Sequence, residues 1–135
     1  MPVAVSMSVA VQAAPTLASL TLSGLQNRRR VLVAFAPSAD DPRLLAQRRA
    51  AAELTGESDD RDLTFVVVAG SAVRGLADPA GVLRTRLRVR ADEFRVVLVG
   101  KDGHAALSEP APVAAEVLRR RIDGMPMRRQ EVRWR

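Results

Sequence analysis

Ser38, Asp40, Asp41 and Arg43 crowd into one short stretch, FAPSADDPRLLAQ (residues 35–47), where an apolar run gives way to a turn and a helix start. In α/β proteins the loop after a strand, and the helix N-terminus behind it, are where ligands are held and reactions run. Three chemistries suit these residue types. Ser38 with Arg43 could serve a hydrolase or reductase that works without cysteine, but a serine nucleophile needs a base within hydrogen-bond reach. The only histidine is His104, just past a turn in a distant segment, and no spacing ties it to Ser38. The N–H groups of the helix start could bind an anion, although Asp40 and Asp41 already bring negative charge there. The third chemistry is capping, in which Asp41, helped by Ser38, accepts bonds from the first-turn N–H groups. The residues favour capping.

The chain contains no cysteine. Thiol exchange, disulfides and thiolate metal sites are therefore excluded. A single histidine without suitably spaced carboxylates gives no metal site, and no cofactor is expected. Lys101-Asp102-Gly103 resembles a charged dyad, but an Asp-Gly pair reads more simply as a type I′ hairpin turn.

The second cluster lies at the C-terminal end. Residues 116–135 carry seven arginines against Glu116, Asp123 and Glu131, a balance that could steer the protein to an acidic partner. Met125-Pro126-Met127 could tuck into a groove as an adaptable plug, leaving Arg128 and Arg129 exposed. The segment then either clasps its own domain or offers Arg128 and Arg129 to an acidic protein or polysaccharide. The clasp is favoured. Nucleic acid is not expected as a partner, because no aromatic stacking platform or known motif accompanies the arginines.

The elements that must position these residues show as apolar runs. At 135 residues, with 47% apolar content, the chain suits one domain with a real core. RVLVAFA (30–36), DLTFVVVAG (62–70) and FRVVLVG (94–100) are apolar on both faces, as in strands buried centrally in a sheet. The KDG turn leads from the last of these into a short fourth strand. Asp41-Pro42 and Asp78-Pro79 each place a capping acceptor before a proline suited to the first helical position, and Pro112 opens a third helix likewise. These helices are expected over 42–54 (Leu44, Ala51 and Leu54 inward), 79–88 (Leu83 and Leu87) and 112–123 (Ala114, Leu118 and Ile122). Gly124 stops the third. The order β-α-β-α-β-β-α predicts a four-stranded mixed sheet between helical layers, the thioredoxin-like arrangement.

Residues 1–27 carry no charged side chain. VAVSMSVAV (3–11), followed by Val11-Gln12-Ala13, is similar to the apolar region and cleavage site of a secretory signal, without the positive start such signals have. The run is too short to span a membrane. The expected organisation is a leader over 1–27, a domain over 28–124 and a basic tail over 125–135.

Four segments, FAPSADDPRL (35–44), RDL (61–63), VGKDG (99–103) and IDGMPMRRQE (122–131), occur in an order that resembles a bacterial family known as domain of unknown function 4174. The family is found also in vertebrate sushi-repeat and matrix-associated extracellular proteins. The resemblance spans about residues 25–133. It implies a thioredoxin-like fold distantly akin to peroxiredoxins and a secreted or periplasmic location, a cytoplasmic one being the alternative. It implies no enzymatic activity. In that fold the turn after the first strand holds the redox cysteine and a proline precedes the third strand. Here Ser38-Ala39-Asp40-Asp41 and the proline-free RVRADEFRVV (88–97) stand in those places. The expected function is a redox-inactive binding or structural module whose partner is an unknown protein or acidic surface. The alternatives are a cysteine-independent enzyme using Ser38 and Arg43, or a polyanion binder using the C-terminal arginines. Oligomeric state is not implied.

Overall fold

The computed structural model describes residues 20–54 and 61–133. The apolar stretch 3–11, the cleavage position after Ala13, Trp134 and Arg135 lie outside the described residues. After a 3₁₀ turn at Ser23–Leu25, the chain runs β1 (Arg30–Ala36), α1 (Pro42–Glu53), β2 (Leu63–Ala69), β3 (Ala72–Arg74), α2 (Ala80–Leu87), β4 (Arg95–Val99), β5 (Ala105–Glu109), α3 (Ala115–Asp123) and α4 (Pro126–Arg133).

The sheet has five strands in the order β3-β2-β1-β4-β5, not the four expected. β1 pairs parallel with β2, Arg30 opposite Leu63 through Ala36 opposite Ala69. It pairs antiparallel with β4, Val31 opposite Val99 through Phe35 opposite Arg95. The added strand is β3, which folds back antiparallel on β2 after Gly70. Three residues are too few to show a period-2 pattern, so nothing in the sequence marks it.

Both faces of β1 are buried, because side chains alternate along a strand and helices cover each side. Leu32, Ala34 and Ala36 join Leu44 of α1, Leu54 at its C-terminal cap, and Leu118 and Ile122 of α3 in one core. Val31, Val33 and Phe35 join Leu83 of α2 in the other, together with Leu22 and Leu25. Residues 20–27, read from sequence as leader, thus contribute two leucines no more than 3% exposed.

Helix starts are corrected at two places. Asp78 does not cap α2; its carboxylate accepts from Leu22 N at 2.9 Å and so fastens the segment before β1, while Pro79 holds the N-cap position. α3 begins at Ala115 rather than Pro112, with Ala114 extended at the N-cap position and Val113 before it held by the fully buried Gln47 of α1. Gln47 Oε1 accepts from Val113 N at 2.7 Å and its Nε2 donates to Val113 O at 3.1 Å. On α1 the inward face carries Leu44, Gln47 and Ala50, where the apolar pattern pointed to Ala51.

The KDG hairpin is not a type I′ turn. Gly103 N donates to Gly100 O, and of the turn residues Gly103 alone has positive φ (83°). Lys101-Asp102-Gly103 is thus a three-residue loop in which Gly103 takes the left-handed position of a G1-type bulge. The ladder shifts register beside it.

Candidate functional site

Asp41 is the N-cap of α1. One of its carboxylate oxygens accepts from Arg43 N at 2.9 Å, and Pro42 fills the first helical position. The Arg43 guanidinium closes on the same carboxylate, Nε at 3.0 Å and Nη2 at 2.7 Å, and lies 5.0 Å above the Phe94 ring centre. The hydrogen bond from Arg43 holds the Asp41 carboxyl below its ordinary pKa. Ser38 Oγ donates to Asp40 Oδ1 at 2.6 Å and takes no part in the cap.

Ser38 and His104 lie at opposite ends of the sheet. β4 runs antiparallel to β1, so the β4–β5 hairpin carrying His104 sits beside Val31, at the start of β1. Ser38 follows the other end. Seven strand residues separate the two ends by about 20 Å. No serine–histidine pair forms, and Arg43 is engaged by Asp41 rather than by Ser38.

Replacing Asp41 with alanine is expected to cost on the order of 1 kcal/mol, as loss of such a cap does, with asparagine restoring most of it. Ser38→Ala should cost less, since the Ser38 hydroxyl bonds to the exposed Asp40 and not to the helix start. Urea melts of the three variants check the ranking. An Asp41→Ala protein as stable as the parent would remove the capping role.

The C-terminal segment is a helix, not a tail. Pro126, expected within a plug ahead of the arginines, opens α4 at the position where a missing N–H is harmless. Arg128 is only 4% exposed, where the sequence reading left it on the surface; Arg129 is exposed as expected. Met125 packs against the core, while Met127 is 36% exposed.

A charge network under α4 explains the burial, and sequence reasoning missed it. Glu131 takes Lys101 Nζ at 2.7 Å and Arg30 Nη2 at 3.2 Å. Lys101 Nζ also reaches Asp62 at 2.7 Å, and Arg30 Nη1 donates to Arg61 O at 2.7 Å. Asp123 receives both Arg61, at 2.9 Å, and Arg128, at 3.3 Å. Burial pushes the Glu131 carboxyl up in pKa, but hydrogen bonds from Lys101 and Arg30 outweigh it and hold it below its ordinary value. Asp123 is lowered in the same way by Arg61 and Arg128. The segments RDL, VGKDG and IDGMPMRRQE all feed this network; the signal was their charged residues, which no local spacing connects.

Among the described residues no group of His, Cys, Asp and Glu could hold a metal ion, and no helix is long and apolar enough to cross a membrane.

Residues 21–131 match the family described as "Domain of unknown function (DUF4174)". The structure is similar to the crystal structure of an exposed lipoprotein thioredoxin (Etrx1) of Streptococcus pneumoniae, with a TM-score of 0.54 and 14% identity over 79% of this chain and 97% of that one. At that identity the likeness shows the thioredoxin-like fold alone. No curated protein matches the chain.

Proposed function

Because this chain belongs to the DUF4174 family, we propose that it is a thioredoxin-like module that works by binding, outside the cytoplasm and without thiol or serine chemistry. One observation carries the reading. Where redox proteins of this fold keep a nucleophile, the carboxylate of Asp41 is closed on Arg43, and Ser38 on Asp40. Every polar side chain of the loop is spent on its neighbour, and the lone histidine lies at the far end of the sheet.

The partner is an acidic protein surface that meets the outer side of α4. Arg129 and Arg133 are exposed there beside Val132, which is 53% exposed. Charge brings the partner in and an apolar contact holds it. A polyanion site built on the whole arginine cluster is less favoured, because Arg128 is turned inward onto Asp123 and Glu131. The uncharged leader supports export, and the similar Streptococcus protein is itself an exposed lipoprotein.

Fractionation of the native host with intact-mass measurement tests the location. The protein is expected outside the cytoplasm and lacking residues 1–13. A full-length chain recovered from the cytosol would reject the proposed compartment.

A further inference from the structure

We propose that the acidic partner of this module engages it through an extended segment, which adds as a sixth strand along the open edge of β5. The inference deepens the acidic-partner reading and rests on it. β5 is the last strand of the sheet and pairs only with β4. Among the described residues, no backbone group of Ala105–Glu109 bonds outside that ladder. An open edge is a row of unmet donors and acceptors, and extended peptides bind such edges by completing them. The opposite edge, β3, has only three residues to offer.

A groove of about 740 Å³ runs along this edge, between Leu107 and Glu109 of β5, Val117, Arg120 and Arg121 of α3, and Met125 at the corner beyond. Val117 is 44% exposed, on a helix whose other apolar residues are buried. Arg120 and Arg121 are exposed; Arg120 reaches only the exposed Glu116, at 3.4 Å, and Arg121 has no carboxylate partner among the described residues. The described lining thus sets two cations against Glu109 alone, which favours an acidic occupant. Pairing β5 with β5 of a second copy would lay α3 beside α3, arginine against arginine, in a chain of net charge +6.

The spacing of the groove sets the pattern of the segment. Val117, the arginine pair and Met125 follow one another along α3 and its end, about 12 Å from first to last at 1.5 Å per residue. Alternate residues of an extended chain face the same side about 6.6 Å apart. Three of them, apolar then acidic then apolar, therefore match that run. Bulges often guard sheet edges, and β5 has one: Leu107 lies opposite Leu98 but Ala105 opposite Val99, which leaves Ala106 as the extra residue. The added strand accordingly pairs over Leu107–Glu109 and then crosses Met125. Met125 leads on to α4, so the same partner reaches Arg129 and Arg133.

The test is an amide-resolved NMR titration of the full chain with the capped peptide Thr-Val-Thr-Glu-Thr-Val-Thr. One control peptide carries lysine in place of glutamate. The other carries a methyl group on every backbone nitrogen, which removes the donors and keeps the side chains. Saturating shifts are expected at Leu107–Glu109, Val117, Arg121 and Met125, with slower amide exchange within Leu107–Glu109. The lysine peptide should bind more weakly by roughly fivefold or more, and the methylated one should give no saturating shifts. Arg120→Gln combined with Arg121→Gln, both at exposed positions, should melt like the parent and lose the preference for glutamate. Equal binding of the methylated peptide, or saturating shifts at Arg129 and Arg133 with β5 unmoved, would overturn the added strand and leave the acidic partner standing. Equal binding of the lysine peptide would overturn both. Shifts that fail to saturate, or a preference for glutamate that survives the double variant, would overturn the groove as the site.

Discussion

Replacing Glu131 with alanine is expected to destabilise the fold by on the order of 3 kcal/mol, because breaking a buried ion pair strands the charges left behind. Arg30 is fully buried and the Lys101 side chain is 9% exposed, and both lose their shared carboxylate. The cost should be strongly non-additive with Lys101→Met, since the two residues act through one contact. Acid provides a second readout. The Glu131 carboxyl is held below its ordinary value of 4.5, so the native state releases this proton more readily than the unfolded chain. The stability it contributes is complete above that value and is lost as pH falls through the lower, folded value. The parent should therefore hold its margin over Glu131→Ala from pH 7 down to about 5 and lose it below about 4.5. A margin that stays constant into acid would show that the carboxylate is not what clasps α4.

Phe94→Ala should cost about 3–5 kcal/mol, the usual range for emptying a buried aromatic site. Phe94 is 2% exposed in the core beneath α1 and α3, and its ring also underlies the Arg43 guanidinium. Phe94→Leu refills most of that volume and should cost less than about 1.5 kcal/mol. Part of that remainder would be the cation–π contact with the half-exposed Arg43. Chemical denaturation of both variants, each repeated with Arg43→Ala, measures the contact. Equal losses with and without Arg43 would mean that the ring serves the core alone.

What was legible in the sequence was what local chemistry controls. β1 is copied residue for residue in its apolar run, and Asp41-Pro42 marks the start of α1 because cap and proline both act within one turn. The failures share a physical cause: side chains whose partners are far away in sequence. Asp78 has the same local form as Asp41, yet it bonds to Leu22, 56 residues away. Pro112 precedes Val113, whose N–H is claimed by Gln47, 66 residues away. Arg128 looked like surface charge, and its burial beside Asp123 and Glu131 follows the docking of α4, whose Glu131 is held by Arg30 and Lys101, 101 and 30 residues away. A local pattern cannot show which of its polar groups a distant element will claim. The same limit hid the charge network, though three of its contributing segments had already stood out as family motifs.

The account's central claim is that the loop at the end of β1 is a capped structural turn and not a catalytic one. Hydrolysis of 4-nitrophenyl acetate by the parent protein and by Ser38→Ala tests it most directly. Ser38 Oγ is committed to Asp40 and is about 20 Å from the lone histidine, so both proteins should give the same rate, equal to that of buffer. Turnover by the parent that survives repurification and disappears in Ser38→Ala would contradict the account and make the loop an active site.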